Sequence, residues 1–392
     1  MSPSLRALGA ALLLGAAPVA LAWSPDAGSP SSATASLTPA AQLDNVPVGV
    51  AVSKGGRVFL AFSRAIDEKE PLSVAELKDG KPVPYPKGLK QENGAPAKDR
   101  LLAVQAVYVD AKDRLWILDC GRVGAAPVVP GTAKLLAVDL KTDKVVQTVT
   151  FPPEVAGKTS FVNDVRVDLT QGKQGVAFLT DAASQGPNGL IVVDLASGKS
   201  VRRLENHPST RPEPGFVAKV EGQPLIQKKG PMANKPFVAG ADGLALSADG
   251  QHLYYAPLSG HHLYRVSAAA LADPRKQDAE VAATVEDLGD RGFASDGLLG
   301  DAAGQIYLTD YENGALVRRS PDGKLETLVK DPRLQWPDTL ALAQDGTLWV
   351  TVTQIHRGER LQGTDKRERP FTLWPLKTDS QPLRPGAAAG SR

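Results

Sequence analysis

Three aspartates, Asp242, Asp296 and Asp338, share one local setting. Each precedes a Gly or Thr, then a short apolar run, then a polar turn. Carboxylates brought together raise one another's pKa, because each charge disfavours the next. One of them can then act as a general acid or base near neutral pH. These three are the candidate catalytic residues. Gln105 and Asn163 hold the equivalent place in two further segments, and Val48 in a sixth. The two amides are candidate ligand-binding groups, able to donate to a developing oxyanion. Asp164, beside Asn163, and His356 are added as further ligand contacts. Oxygens converging from separate elements also suit Ca2+ or another divalent cation, which takes about 6–8 of them. Asn163, Asp242 and Asp296 are the candidate metal ligands. The competing reading is that each Asp bonds backbone N–H groups in its own turn.

Other chemistries lack their residues. The five histidines form no HExxH spacing, and GxSxG, P-loop and GxGxxG signatures do not occur. His261 and His262 are expected in a solvated turn. Asp119, Asp181 and Asp310 end strands, and Asp249, Asp301 and Asp345 sit in hairpin turns; all six are read as structural. The single cysteine, Cys120, excludes a disulfide framework and any CxxC site, and reads as a small buried apolar residue. With 45 Lys and Arg against 43 Asp and Glu and no basic stripe, nucleic acid is not the expected partner. A small-molecule ligand is.

The elements that must position these groups repeat. Segments starting at 48, 105, 163, 242, 296 and 338 each combine a short strand, a turn and a second apolar strand. A further hairpin follows most of them, as in Gly189–Asp194 with Ser200–Leu204. Its turn, Ser197-Gly198, supplies the positive φ that tight turns need. Four strands per unit, six times over, predict an all-β, six-bladed β-propeller with four-stranded antiparallel blades. The first residue of each unit then faces one mouth of the central channel. The sixth unit is one strand short after Phe371–Pro375, and the segment before Val48 is expected to complete it. The longest interval, about 205–239, carries six prolines and reads as an inserted loop that can cover one face. Val266–Leu271 is the expected short helix.

Residues 1–22 read as a secretory signal: Arg6 in the n-region, an apolar run over Leu8–Leu21, and Ala20-Leu21-Ala22 as the cleavage signature. The expected location is therefore secreted or periplasmic, without membrane attachment after cleavage. A disordered lead-in over 23–44, a propeller over 45–378 and a frayed tail over 379–392 complete the reading. No exposed heptad or amphipathic helix calls for a partner subunit, so a monomer is expected.

Several stretches resemble the major royal jelly protein/yellow family, also described as dopachrome-tautomerase-related. They are Phe161–Asp168, Gly189–Leu195, Leu253–Leu258, Leu263–Val266, Ser295–Leu298 and Leu334–Thr339, in the family's order. The resemblance implies a secreted six-bladed propeller. Some members convert dopachrome, others bind biogenic amines in the funnel, and others serve as food or signalling proteins. Many carry disulfides, which one cysteine cannot form. A more distant likeness is to gluconolactonase/regucalcin-type propellers, which hold a divalent cation with a Glu, two Asn and an Asp. Asn163, Asp242 and Asp296 fall at comparable blade starts, but Val48 stands where the Glu is expected. Three functions follow: a dopachrome-type tautomerase with an Asp base, a metal-dependent lactonase, and a non-catalytic small-molecule carrier.

Overall fold

Each repeat start opens, or immediately precedes, the inner strand of a four-stranded antiparallel sheet. The computed structural model describes residues 37–91 and 94–386, so the expected leader at 1–22 lies outside the described residues. The inner strands are Pro47–Val52, Val104–Val109, Val162–Asp168, Ala241–Leu246, Leu298–Gly300 and Pro337–Leu342. Each packs against the inner strands of both flanking blades, so six blades close a ring. Strands such as Ala241–Leu246 are buried along their whole length because a blade lies on either side. Outer strands such as Lys144–Thr150 face water and are mostly exposed. The fold is a six-bladed β-propeller.

The ring is locked by the chain's start. Ala41–Leu43 pairs antiparallel with Phe371–Lys377 and supplies the outermost strand of blade six. Leu37 and Leu43 are buried, so the fold begins before residue 45 and the lead-in expected over 23–44 is partly ordered. The far end also differs from expectation. Residues 379–386 do not fray but cross the distal ends of the inner strands. Ser380 bonds the Tyr307 hydroxyl, Leu169 N–H donates to the Pro385 carbonyl, and Arg384 donates to the Val52 carbonyl at 3.1 Å. The segment's prolines lack N–H donors and read as tail, but the apolar strand ends at the axis need a cover. Pro382, Leu383 and Arg384 provide it against Val52, Val109 and Leu342.

Five of the six inner strands begin with a register shift, at Pro47/Gly49, Val104/Ala106, Val162/Val165, Ala241/Leu244 and Pro337/Leu340. A bulge re-aims the side chain it carries. These bulges hold Val48, Gln105, Asn163, Asp164, Asp242 and Asp338. The insertion forms a small hairpin, Lys219–Val220 with Gln223–Pro224, after a 3-10 turn at Pro208–Thr210. The short helix runs over Ala268–Ala272 rather than from Val266, because Val266 and Ser267 complete a strand and Ser267 caps the helix.

Candidate functional site

The six blade starts meet. Val48, Gln105, Asn163, Asp242, Asp296 and Asp338 all line one cavity of about 480 Å³ at the proximal mouth of the channel. Its size suits a small organic ligand, for which pockets run roughly 300–1,000 Å³. The wall includes Phe161, Phe237, Met232, Leu258 and Ile355, with Met232 and Phe237 contributed by the insertion. The insertion expected over 205–239 therefore forms part of the chamber. Lys228 and Lys229 N–H groups donate to the Arg360 carbonyl, and Glu221 pairs with Arg357 at 2.5 Å, docking it on blade six.

The floor is an acid cluster. Asp242, Asp296 and Asp338 are all buried, and among the described residues no Lys, Arg or His forms an ion pair with any of them. Burial, followed by the charges of Asp296, Asp338 and Asp164, holds Asp242 well above the usual carboxylate range. Burial and the charge of Asp296 do the same to Asp338. Asp296 is pushed up to about 7, chiefly by burial, while a bond from the Trp336 indole opposes the rise. Asp242 and Asp296 share a hydrogen bond, so the cluster stores protons at neutral pH. The Asn163 amide donates to Asp242 Oδ1. The Thr339 hydroxyl lies 3.1 Å from Asp338 Oδ1 and 2.8 Å from the Val48 carbonyl. Gln105 is buried, and its Nε2 finds no partner among the described residues.

The other expected contacts separate from this floor. Asp164 touches the cavity, but Arg166 neutralises it at 2.7 Å and the Val165 N–H donates to it. His356 does not line the cavity. It is buried behind Trp336, ring to ring at 6.0 Å, with Glu221 3.4 Å from its Nε2. Asp119 accepts three backbone N–H bonds, and Asp181 pairs with Arg202, both structural roles. His261 and His262 are not simply solvated: His261 bonds Glu312 at 2.7 Å and His262 bonds Asp287 at 2.9 Å. Cys120 is fully buried and its thiol is pushed up to about 12 by burial, which leaves it unreactive.

Trp336 is the residue that single-position reasoning missed. Its Nε1–H donates to Asp296 Oδ2 at 2.6 Å, and its ring stacks on Tyr311 at 4.3 Å. It adopts φ 64°, a strained choice for a bulky residue. The Leu334–Thr339 stretch singled it out only as part of a resemblance. Asp242 is turned to Asn163 and Asp296 to Trp336, and no three His, Cys, Asp or Glu side chains among the described residues are grouped to hold a metal ion.

Comparison with known proteins agrees with the architecture. A family model described as major royal jelly protein matches residues 102–380. Major royal jelly protein 3 of Apis mellifera is 28% identical over 229 residues, 57% of this chain and 40% of that protein. A yellow-related salivary protein of Phlebotomus perniciosus is 28% identical over 253 residues, 62% of this chain and 60% of its own length. The chain thus spans less than two thirds of the length of these relatives. Among solved structures, regucalcin from Agrobacterium tumefaciens superposes with a TM-score of 0.54 at 15% identity, over 88% of this chain and 97% of that one. At that identity the likeness concerns the fold alone. The family match runs from the first inner strand of blade two to the tail that caps the axis, and the chain belongs to the major royal jelly protein family.

Proposed function

We propose that this protein is an exported small-molecule receptor whose funnel takes an aromatic molecule with a cationic or hydrogen-bond-donating head. The observation that carries this reading is the floor: three buried carboxylates with no ion-pair partner among the described residues, under walls of Phe161, Phe237 and Met232. Such a floor attracts positive charge and donors, because a ligand cation would favour the ionised form of carboxylates that burial and one another's charge now hold towards the protonated form. The apolar walls take the ring. Export is supported by the signal-like residues at 1–22 and by relatives named for royal jelly and saliva.

The test is calorimetric titration of 2-phenylethylamine and its neutral counterpart, 2-phenylethanol. The amine should bind at least about tenfold tighter, the scale of one charge-assisted bond. Asp296→Asn should remove most of that preference. Absence of amine binding refutes the reading.

A second reading is favoured by Asp296, whose pKa near 7 suits proton transfer. In a tautomerisation its carboxylate takes a carbon-bound proton, and the free Gln105 Nε2–H steadies the oxygen that gains charge. A dopachrome-type quinone followed by absorbance is the assay, and unchanged turnover in Asp296→Asn rejects it. The metal-dependent lactonase reading has less support, given the engaged floor oxygens. Stoichiometric calcium, with a melting temperature that falls on chelation, would restore it.

A further inference from the structure

Above the acid floor the same cavity carries charge of the opposite sign. Three arginines line it: Arg122, Arg360 and Arg367. Arg367 is neutralised by Asp67 at 2.9 Å and Asp365 at 2.8 Å. Arg122 and Arg360 form no ion pair among the described residues. Arg122 follows the second strand of blade two, and its guanidinium lies 5.8 Å from the Phe161 ring. Its Nη1 reaches the Thr159 and Ser160 carbonyls only at 3.4 Å, and its buried Nε has no partner. Arg360 comes from a short turn of helix in blade six and lies 5.2 Å from the Phe237 ring. Its Nε donates to Gln227 Oε1 of the insertion at 2.6 Å, which leaves both terminal nitrogens unassigned. Loss of hydration and the charge of Arg122 both lower the Arg360 pKa, so the two guanidiniums sense one another.

Two guanidiniums that line one cavity, each against an aromatic ring and neither in an ion pair among the described residues, leave fork donors open to an anion. Guanidinium forks match a planar carboxylate in geometry. We infer that Arg122 and Arg360 form a carboxylate-binding subsite, so that the funnel's ligand is an aromatic zwitterion with its donating head on the Asp242/Asp296/Asp338 floor and its carboxylate at the arginines. This rests on the funnel reading above and narrows its substrate class from aromatic amines to amphoteric ring compounds. Arg122 lies over Phe161 and Arg360 over Phe237, so the same two rings flank the ligand and hold its anchors.

The test compares 4-(2-aminoethyl)benzoate with 2-phenylethylamine, which lacks only the carboxylate. Affinities are measured by calorimetry on the native protein, Arg360→Gln and Arg122→Gln. The native protein should prefer the zwitterion by about tenfold or more, the scale of a charge-assisted contact. In Arg360→Gln the ratio of the two affinities should fall towards one. Arg122→Gln should act in the same direction; where it lowers the melting temperature, Arg360→Gln alone carries the test. A native ratio near one, or a ratio unaltered in Arg360→Gln, overturns the inference and leaves the funnel reading standing. Failure of both compounds to bind overturns the two together.

Discussion

Asp296 is where burial, like charge and one indole bond meet. Its folded pKa of about 7 exceeds the ordinary 3.8, so the native state keeps a proton that the unfolded chain releases. Stability contributed by this group therefore falls as pH rises from about 4 to about 7, by about 1.4 kcal/mol per pH unit at most. Asp296→Asn should match the native protein near pH 4 and become the more stable of the two by pH 7. Thermal unfolding across that range checks it, and a gap independent of pH would refute it. Trp336 works against the same shift. Trp336→Phe keeps the ring stacked near Tyr311 but deletes the donor to Asp296. A hydrogen bond to a charged group contributes about 1.5–3 kcal/mol, so the pKa of the acid cluster should climb by about one unit or more. The pH dependence of amine binding reads it directly. The sequence named Asp296, but not Trp336, because nothing local marks an indole forty positions away as its partner.

At the level of elements, the bulges decide which side chains see the funnel. A regular strand start would alternate its side chains between the faces of the blade. Instead, the register shifts turn Asn163, Asp242 and Asp338 towards the axis. The Asp-Gly pairs, legible in the sequence as turn formers, serve another purpose here. A Cβ at Gly297 would lie 2.1 Å from the Asp338 carbonyl oxygen, and one at Gly243 equally close to that of Asp296. These glycines let successive blades approach at the axis, which is how the carboxylates come together. Gly297→Ala should cost about 1–3 kcal/mol by overpacking and should separate Asp296 from Asp338. Urea unfolding measures the first effect, and a lowered acid-cluster pKa the second. Unaltered stability would show that the blades have room to spare. The insertion is an element of the same kind: proline content foretold a loop, but only docking on blade six made it hold Arg360.

Across the whole molecule, closure is a pairing between residues at opposite ends of the chain. Ala41↔Leu373 and Leu43↔Phe371 complete blade six as a four-stranded sheet. Deletion of residues 1–45 should expose one edge of the longer Phe371–Lys377 strand, lower the melting temperature and promote self-association. Light scattering and thermal unfolding test this. A monodisperse variant with native stability would show that the closing strand is dispensable. Below the funnel, residues 379–386 cap the other end of the channel, so the ligand chamber has one mouth.

The sequence alone determined the strand count, the six starts and the closing strand, because these rest on periodicity and turn chemistry, which neighbours along the chain encode; the family was legible only as a resemblance of stretches such as Leu334–Thr339. It also marked every carboxylate of the floor. Tertiary structure decided which of them stay unpaired. Asp164 meets Arg166 and becomes a structural ion pair, whereas Asp242, Asp296 and Asp338 meet mainly one another. It removed His356 behind Trp336, drew the tail onto the axis and brought Arg122 and Arg360 to one cavity. Charge compensation depends on distances between residues far apart in the chain, and those exist only once the ring has closed.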